Sequence, residues 1–197
     1  MIERIDELVI EFPKLIPDEW CDLIVEWFDI NIHLQQPGRI VNNNDDKTVF
    51  EEFKLATQSI VPFETPMFEL MTKIWHMSYD SYLNIVERAP IEDVYFRDYS
   101  VRVYEKNIGF FKPHVDQHAG GTVTRLFAII LYLNDVKEGG ETEFGNLNIK
   151  VKPEKGKVLM FPCNFLYPHH ANVPISDPKY IATAFINFKN IDDLQQS

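Results

Sequence analysis

Apolar and polar positions alternate with two different periods along this chain, and the period changes near its middle. In "PDEWCDLIVEWFDIN", Trp20, Leu23, Ile24, Trp27 and Phe28 recur at helical spacing. Pro17 suits a helix start, where one amide is unused anyway, and Asp18 and Glu19 meet the positive end of the helix dipole. A second helix is predicted in "TPMFELMTKIWHMSYDSYLNIV". Thr65 can cap it, Pro66 fits its first position, and Met67, Leu70, Met71 and Ile74 line one face. Between the helices, "QQPGRIVNNNDDKT" reads as a loop rich in Asn, Asp and Gly.

The second half is written in short β-rich runs: "VYFRDYSVRVYE", "TRLFAIILYLN", "LNIKVKP", "KVLMFPC" and "KYIATAFINFK". Turn signals separate them, among them "HAGG", "KEGGE", "PEKGK" and "SDP". Such spacing predicts an antiparallel sandwich or jelly roll. The expected plan is an α+β single domain over residues 1–197, with helical support over about 1–90 and a β core over about 91–190. The closing "NIDDLQQS" reads as a polar, frayed tail.

Composition narrows the function classes. Apolar residues make up 45% and charged residues 25%, as in an ordinary globular protein. Thirty acidic against 19 basic residues give a net charge of −11, which argues against nucleic acid or an anionic membrane surface as the main partner. Cys21 and Cys163 are isolated, so there is no disulfide framework and no CxxC zinc motif. The opening "MIERIDELVIEF" has no secretory pattern, and the longest apolar run, "LFAIILYL", is too short to span a bilayer as a helix. A cytoplasmic protein with no membrane partner is expected; the oligomeric state is left open.

The chemistry concentrates in "FFKPHVDQHAGG", residues 110–121. His114 and Asp116 stand two apart, which on a strand puts both on one face, with Val115 turned to the core. An imidazole and a carboxylate, joined by a second histidine, make the facial set that suits Fe(II) and leaves positions open. A second histidine cluster lies in "FPCNFLYPHHANVP", followed by "DPKYIATAFINF", where Lys179 enters an apolar strand. His118 reads as a loop residue at the rim, because "AGG" ends the strand. His33 and His76 fall in the helical half and read as structural. The glycine pairs are turns, since neither phosphate-binding glycine motif occurs.

Taken in order, Tyr104, "KPHVD", "YLND", "EGGETEF", "FP…YPHH" and "KY" resemble the 2-oxoglutarate- and Fe(II)-dependent oxygenases, in particular the prolyl 4-hydroxylase-like branch. The resemblance covers roughly residues 92–190. It implies a double-stranded β-helix (a cupin-like jelly roll) behind N-terminal supporting helices. It implies Fe(II), 2-oxoglutarate as cosubstrate and O2, and admits ascorbate. His114 and Asp116 match the first two iron ligands, and an aspartate at that place points to hydroxylation rather than halogenation. The third ligand is His169 or His170, because adjacent strand residues face opposite ways. The phrase "FPCNFLYPH" favours His169, whereas Pro174, four residues after His170, fits the other register. His169 is taken as the expected ligand. Lys179 matches the residue that pairs with the distal carboxylate of 2-oxoglutarate, and Tyr104, Thr142 and Tyr132 match cosubstrate-pocket positions.

The implied activity is hydroxylation of an unactivated C–H bond, with release of succinate and CO2. A peptidyl or protein proline is the expected substrate. A free amino acid, other small molecule or nucleobase is the alternative within the same chemistry. A non-catalytic, cupin-like metal-binding module is the alternative from another class. The loop near residues 35–50 and the segment after Asp116 are expected to face the substrate.

Overall fold

The computed structural model describes residues 3–4, 7–38, 40–41, 47–48, 51–87, 89 and 94–189. The first half contributes β1 (Glu3–Arg4), β2 (Ile10–Phe12), α1 (Asp18–Ile30), β3 (Gln35–Pro37), β4 (Ile40–Val41), β5 (Lys47–Thr48), β6 (Lys54–Leu55), β7 (Thr57–Ile60) and α2 (Pro66–Leu83). The second half contributes β8 (Val94–Tyr104), β9 (Phe110–His114), β10 (Arg125–Tyr132) and β11 (Thr142–Phe144). It continues with β12 (Ile149–Val151), β13 (Val158–Pro162), β14 (His169–Ala171) and β15 (Lys179–Phe188).

From β8 onward the chain passes back and forth between two antiparallel sheets. The larger sheet has the order β1-β2-β13-β10-β15-β8-β7-β3 and the smaller one β12-β11-β14-β9-β6. This interleaving is the double-stranded β-helix, and the fold is α+β with helices backing one sheet. A strand covered on both faces needs apolar or paired side chains at every position. β15 shows this, with nine consecutive described positions from Lys179 to Asn187 buried or nearly so.

The period of two sorts the large sheet into two cores. Val101 and Val103 of β8, Phe127, Ile129 and Leu131 of β10, and Ala182, Ala184 and Ile186 of β15 belong to the core shared with the helices. The residues between them, Tyr104, Ala128, Tyr132, Ile181 and Phe185, belong to the core between the sheets, with Phe144 and Val151 from the smaller sheet. The helices close the outer face of the large sheet. α2 buries Met67, Met71, Ile74, Trp75 and Tyr82, and its first turn is capped by the Thr65 hydroxyl, which accepts from the Phe68 amide. α1 buries Cys21, Ile24 and Phe28.

The structure departs from the sequence expectations in three places. The first half is not purely helical, because β2, β6 and β7 extend the two sheets. Gln35–Pro37, expected in a loop, pairs as β3 with β7. Leu23, placed on the apolar face of the first helix, is 51% exposed, since the buried stripe runs through Cys21 instead. Residues 42–46 of the expected substrate loop and the polar tail at 190–197 lie outside the described residues. Among the described residues no helix is long and apolar enough to cross a membrane.

Candidate metal centre and its two pockets

β9 and β14 are neighbours in the smaller sheet, and His114 and His169 are direct partners across them. Partners in register bring side chains within contact distance. The chain leaves β9 at His114, so Asp116 sits in the turn beyond the strand rather than within it. Val115 is half-buried on the wall of a pocket, not in the core as its alternation suggested. The turn nevertheless delivers the Asp116 carboxylate to the histidine pair. Nε2 of His114 is 3.8 Å from Asp116 Oδ1, and Nε2 of His169 is 3.4 Å from Oδ2.

One ligand-competent atom from each of the three residues lies within 4.8 Å of the others. The backbone selects the tautomers. His114 Nδ1 is 2.8 Å from the Lys112 carbonyl oxygen, and His169 Nδ1 is 3.1 Å from the Tyr167 carbonyl oxygen. A carbonyl only accepts, so Nδ1 carries the proton and Nε2 keeps its lone pair turned toward Asp116. Burial, then the charge on His169, pushes the His114 imidazole down to about 3, so it is neutral at ordinary pH. At Asp116 burial pushes upward, but interaction with the His169 and His114 rings and with the Arg125 and Arg102 guanidiniums outweighs it and holds the carboxyl below its usual range. Two imidazole Nε2 atoms and one carboxylate fit a divalent iron ion with several positions left open.

Packing holds the rings still. Phe111 stacks on His114 with centroids 3.5 Å apart, and Phe161 meets His169 edge-on at 4.6 Å. His170 turns the other way, its Nε2 3.6 Å from Glu143 Oε2. His118 is exposed at the mouth of the site, while His33 and His76 are exposed in the helical half.

Two pockets meet at this trio. The inner one is lined by Tyr104, Thr142 and Lys179. Lys179 is fully buried and is the direct partner of Tyr104 across β15 and β8. Its Nζ donates to the Gly140 carbonyl at 2.8 Å and lies 4.6 Å from the Tyr104 ring centroid. Burial pushes its ammonium down to about 7, against a smaller upward pull from Glu141. Tyr132 donates to Thr142 Oγ1 at 2.8 Å, with both groups buried. The outer pocket, of about 480 Å³, is lined by Lys54, Arg102, Arg125, Phe111 and Phe185 beside the trio. Arg125 reaches Asp98 at 2.7 Å and donates to the Asp116 carbonyl at 3.2 Å. Asp98 occupies a bulge of β8, where Asp98 and Tyr99 oppose the single residue Ala184, with φ 59.

None of Lys54, Arg102 and Arg125 stands out in the sequence. "SVRVY" reads as a half-exposed strand with its arginine toward water, and only the second sheet turns that position inward.

Fold and site together define a double-stranded β-helix with one candidate metal centre among the described residues. The chain matches the model of the 2OG-Fe(II) oxygenase superfamily over residues 99–187. It is thus an Fe(II)- and 2-oxoglutarate-dependent dioxygenase. Its fold is that of solved prolyl hydroxylases. The viral collagen prolyl hydroxylase of Paramecium bursaria Chlorella virus-1, solved with 2-oxoglutarate, is 19% identical with a TM-score of 0.67. The alignment covers 93% of this chain and 97% of that one. A Pseudomonas putida prolyl-4-hydroxylase is 15% identical with a TM-score of 0.66, covering 92% and 93%. A prolyl hydroxylase from Trichoplax adhaerens, in complex with a hypoxia inducible factor oxygen degradation domain peptide, is 13% identical with a TM-score of 0.73, covering 97% and 88%. No curated protein matches the sequence.

Proposed function

We propose that His114, Asp116 and His169 hold the Fe(II), that Lys179 anchors the distal carboxylate of 2-oxoglutarate, and that the enzyme hydroxylates a proline in a peptide or protein. The observation that carries the metal assignment is the convergence of the two Nε2 atoms on the Asp116 carboxylate, each with its Nδ1 held by a carbonyl. Bound iron with 2-oxoglutarate and O2 supplies the oxidising power for C–H hydroxylation, with succinate and CO2 released.

The protein's own residues do the positioning. Lys179 meets a carboxylate in a site already stripped of water, where a charge pair is stronger than at the surface. The inner pocket has a free volume of only about 40 Å³, so the incoming carboxylate takes over the hydrogen bond now made to Gly140. Thr142 and Tyr132 form one hydroxyl pair on its wall, and Tyr104 forms the surface under the ammonium. The whole described chain acts as one unit, since strands from both halves pair within the same two sheets.

Fold likeness to prolyl hydroxylases and the wide outer pocket support a peptide substrate. A free amino acid is the second reading, favoured by the cations on the pocket wall. The test is incubation with Fe(II), 2-oxoglutarate and air, with prolyl peptides and free amino acids as substrates. A product heavier by one oxygen (+16 Da) on proline, formed with succinate, is expected. Succinate formation with oxygen entering only other residues would overturn the prolyl assignment.

A further inference from the structure

An inward position of a β sandwich is a poor place for a guanidinium unless something answers it. On β8, Tyr99, Val101 and Val103 face the helices, which leaves Ser100, Arg102 and Tyr104 facing the smaller sheet. The Ser100 hydroxyl pairs with Thr183 at 2.9 Å, and Tyr104 belongs to the core between the sheets. Arg102 lies between them, flanked in register by Gln58 of β7 and Ile181 of β15. Its guanidinium lies beside the buried Tyr104 side chain, and its Nε is buried with no hydrogen-bond partner. Buried donors of native proteins are nearly always answered, and this one is open to a group entering the adjoining pockets.

Among the described residues on the outer pocket's wall, basic side chains outnumber carboxylates. Lys54, 2% exposed, donates to Gln58 at 3.3 Å and sits 4.9 Å from the ring centroid of Phe111, which stacks on His114. Arg125 is already engaged by Asp98, the Asp116 carbonyl and the Phe185 ring. Among the described residues, the only carboxylate on the outer pocket's wall is Asp116, and its oxygens face the histidine nitrogens. Lys179 lines the inner pocket alone, Lys54 the outer pocket alone, and Arg102 borders both. Two anionic groups can therefore be held on separate cations, the cosubstrate's on Lys179 and another at the outer pocket.

We propose that the substrate carries a carboxylate and that Arg102 receives it, with the Lys54 amine as a neighbouring hydrogen-bond donor. The proposal rests on the iron and 2-oxoglutarate assignment above. The group is the α-carboxylate of a free amino acid or C-terminal residue, or an acidic side chain next to the hydroxylated residue. Each source offers the same planar pair of oxygens to a guanidinium.

The experiment compares matched pairs differing only in that charge. These are free amino acids, proline included, against their amides, prolyl peptides with free against amidated C-termini, and Asp-flanked against Asn-flanked internal prolyl peptides. Substrate-dependent succinate formation gives kcat/KM, and anaerobic titration gives 2-oxoglutarate affinity. At least one carboxylate member should exceed its neutral twin by about tenfold or more, the loss expected for an unanswered charge-assisted hydrogen bond. Whichever pair discriminates identifies the source of the carboxylate. In Arg102→Gln that ratio should fall toward one, and Arg102→Lys, which keeps the charge without the fork, should recover part of it. Substrate KM should rise more than the 2-oxoglutarate dissociation constant in Arg102→Gln, with the reverse in Lys179→Ala. Unchanged thermal melting in Arg102→Lys separates recognition from folding. An enzyme that turns over 2-oxoglutarate with no charge discrimination in any pair overturns this proposal alone. So does an Arg102→Gln variant that keeps the ratio, or that loses mainly 2-oxoglutarate affinity. A protein that neither binds 2-oxoglutarate nor forms succinate overturns the oxygenase assignment and this proposal with it.

Discussion

Lys179→Ala tests how the cosubstrate is anchored. The ammonium is fully buried, donates to the Gly140 carbonyl at 2.8 Å, and has no salt-bridge partner among the described residues. A carboxylate arriving there meets a cation whose desolvation the fold has already met. Removing one partner of such a pair costs about 2–5 kcal/mol, or roughly 30- to 4,000-fold in dissociation constant. Burial pushes the free ammonium down to about 7, and this sets a pH dependence. Below that value lysine is charged before the ligand arrives. Above it, binding must first restore the proton, at about 1.36 kcal/mol per pH unit. Wild-type affinity should therefore fall about tenfold for each unit above pH 7, and the slope should vanish in Lys179→Ala. Anaerobic calorimetry of 2-oxoglutarate binding to the Fe(II) protein at pH 6, 7 and 8 reads both effects. A change of less than about threefold at pH 6, or the same pH slope in the variant, would refute the reasoning.

Other consequences are independent of Lys179. His169→Ala should abolish stoichiometric Fe(II) binding, whereas His170→Ala, whose Nε2 faces Glu143 instead, should retain it; metal analysis after desalting decides. Gly139 has φ 72, and a Cβ there would overlap the Val173 carbonyl oxygen. Gly139→Ala should destabilise by at least about 2 kcal/mol in urea and also weaken 2-oxoglutarate binding, because the neighbouring Gly140 carbonyl supports Lys179. Thr65→Ala removes the cap of α2 and should cost about 1 kcal/mol, seen as a lower urea midpoint at unchanged slope.

β8, β10, β12, β13 and β15 were legible because each is β-rich and bounded by turn residues, and the helices because their apolar residues recur at helical spacing, whereas the three-residue β11 and β14 gave no such run. "QQP" gave no such signal, since pairing with β7 makes it a strand and its own residues do not. Likewise α1 turns its Cys21 edge inward because of what lies beneath it, and the apolar spacing could not separate that edge from Leu23. Within the site, His114, Asp116, His169 and Lys179 were visible as chemistry-bearing residues at strand ends. Their juxtaposition was implied by the family resemblance alone, because physically it depends on the register that pairs His169 with His114 and Lys179 with Tyr104. Arg102 shows the limit best. Alternation separates the two faces of a strand, and only the second sheet, formed by distant segments, decides that both are buried.

The central claim is that His114, Asp116 and His169 form an iron site that accepts 2-oxoglutarate. Its most direct test is the visible spectrum of the anaerobic protein as Fe(II) and then 2-oxoglutarate are added. A weak charge-transfer band should appear only with both, saturate at one equivalent of each, and be lost in His114→Ala. No band in the wild-type protein, or a band that persists in His114→Ala, would contradict the account.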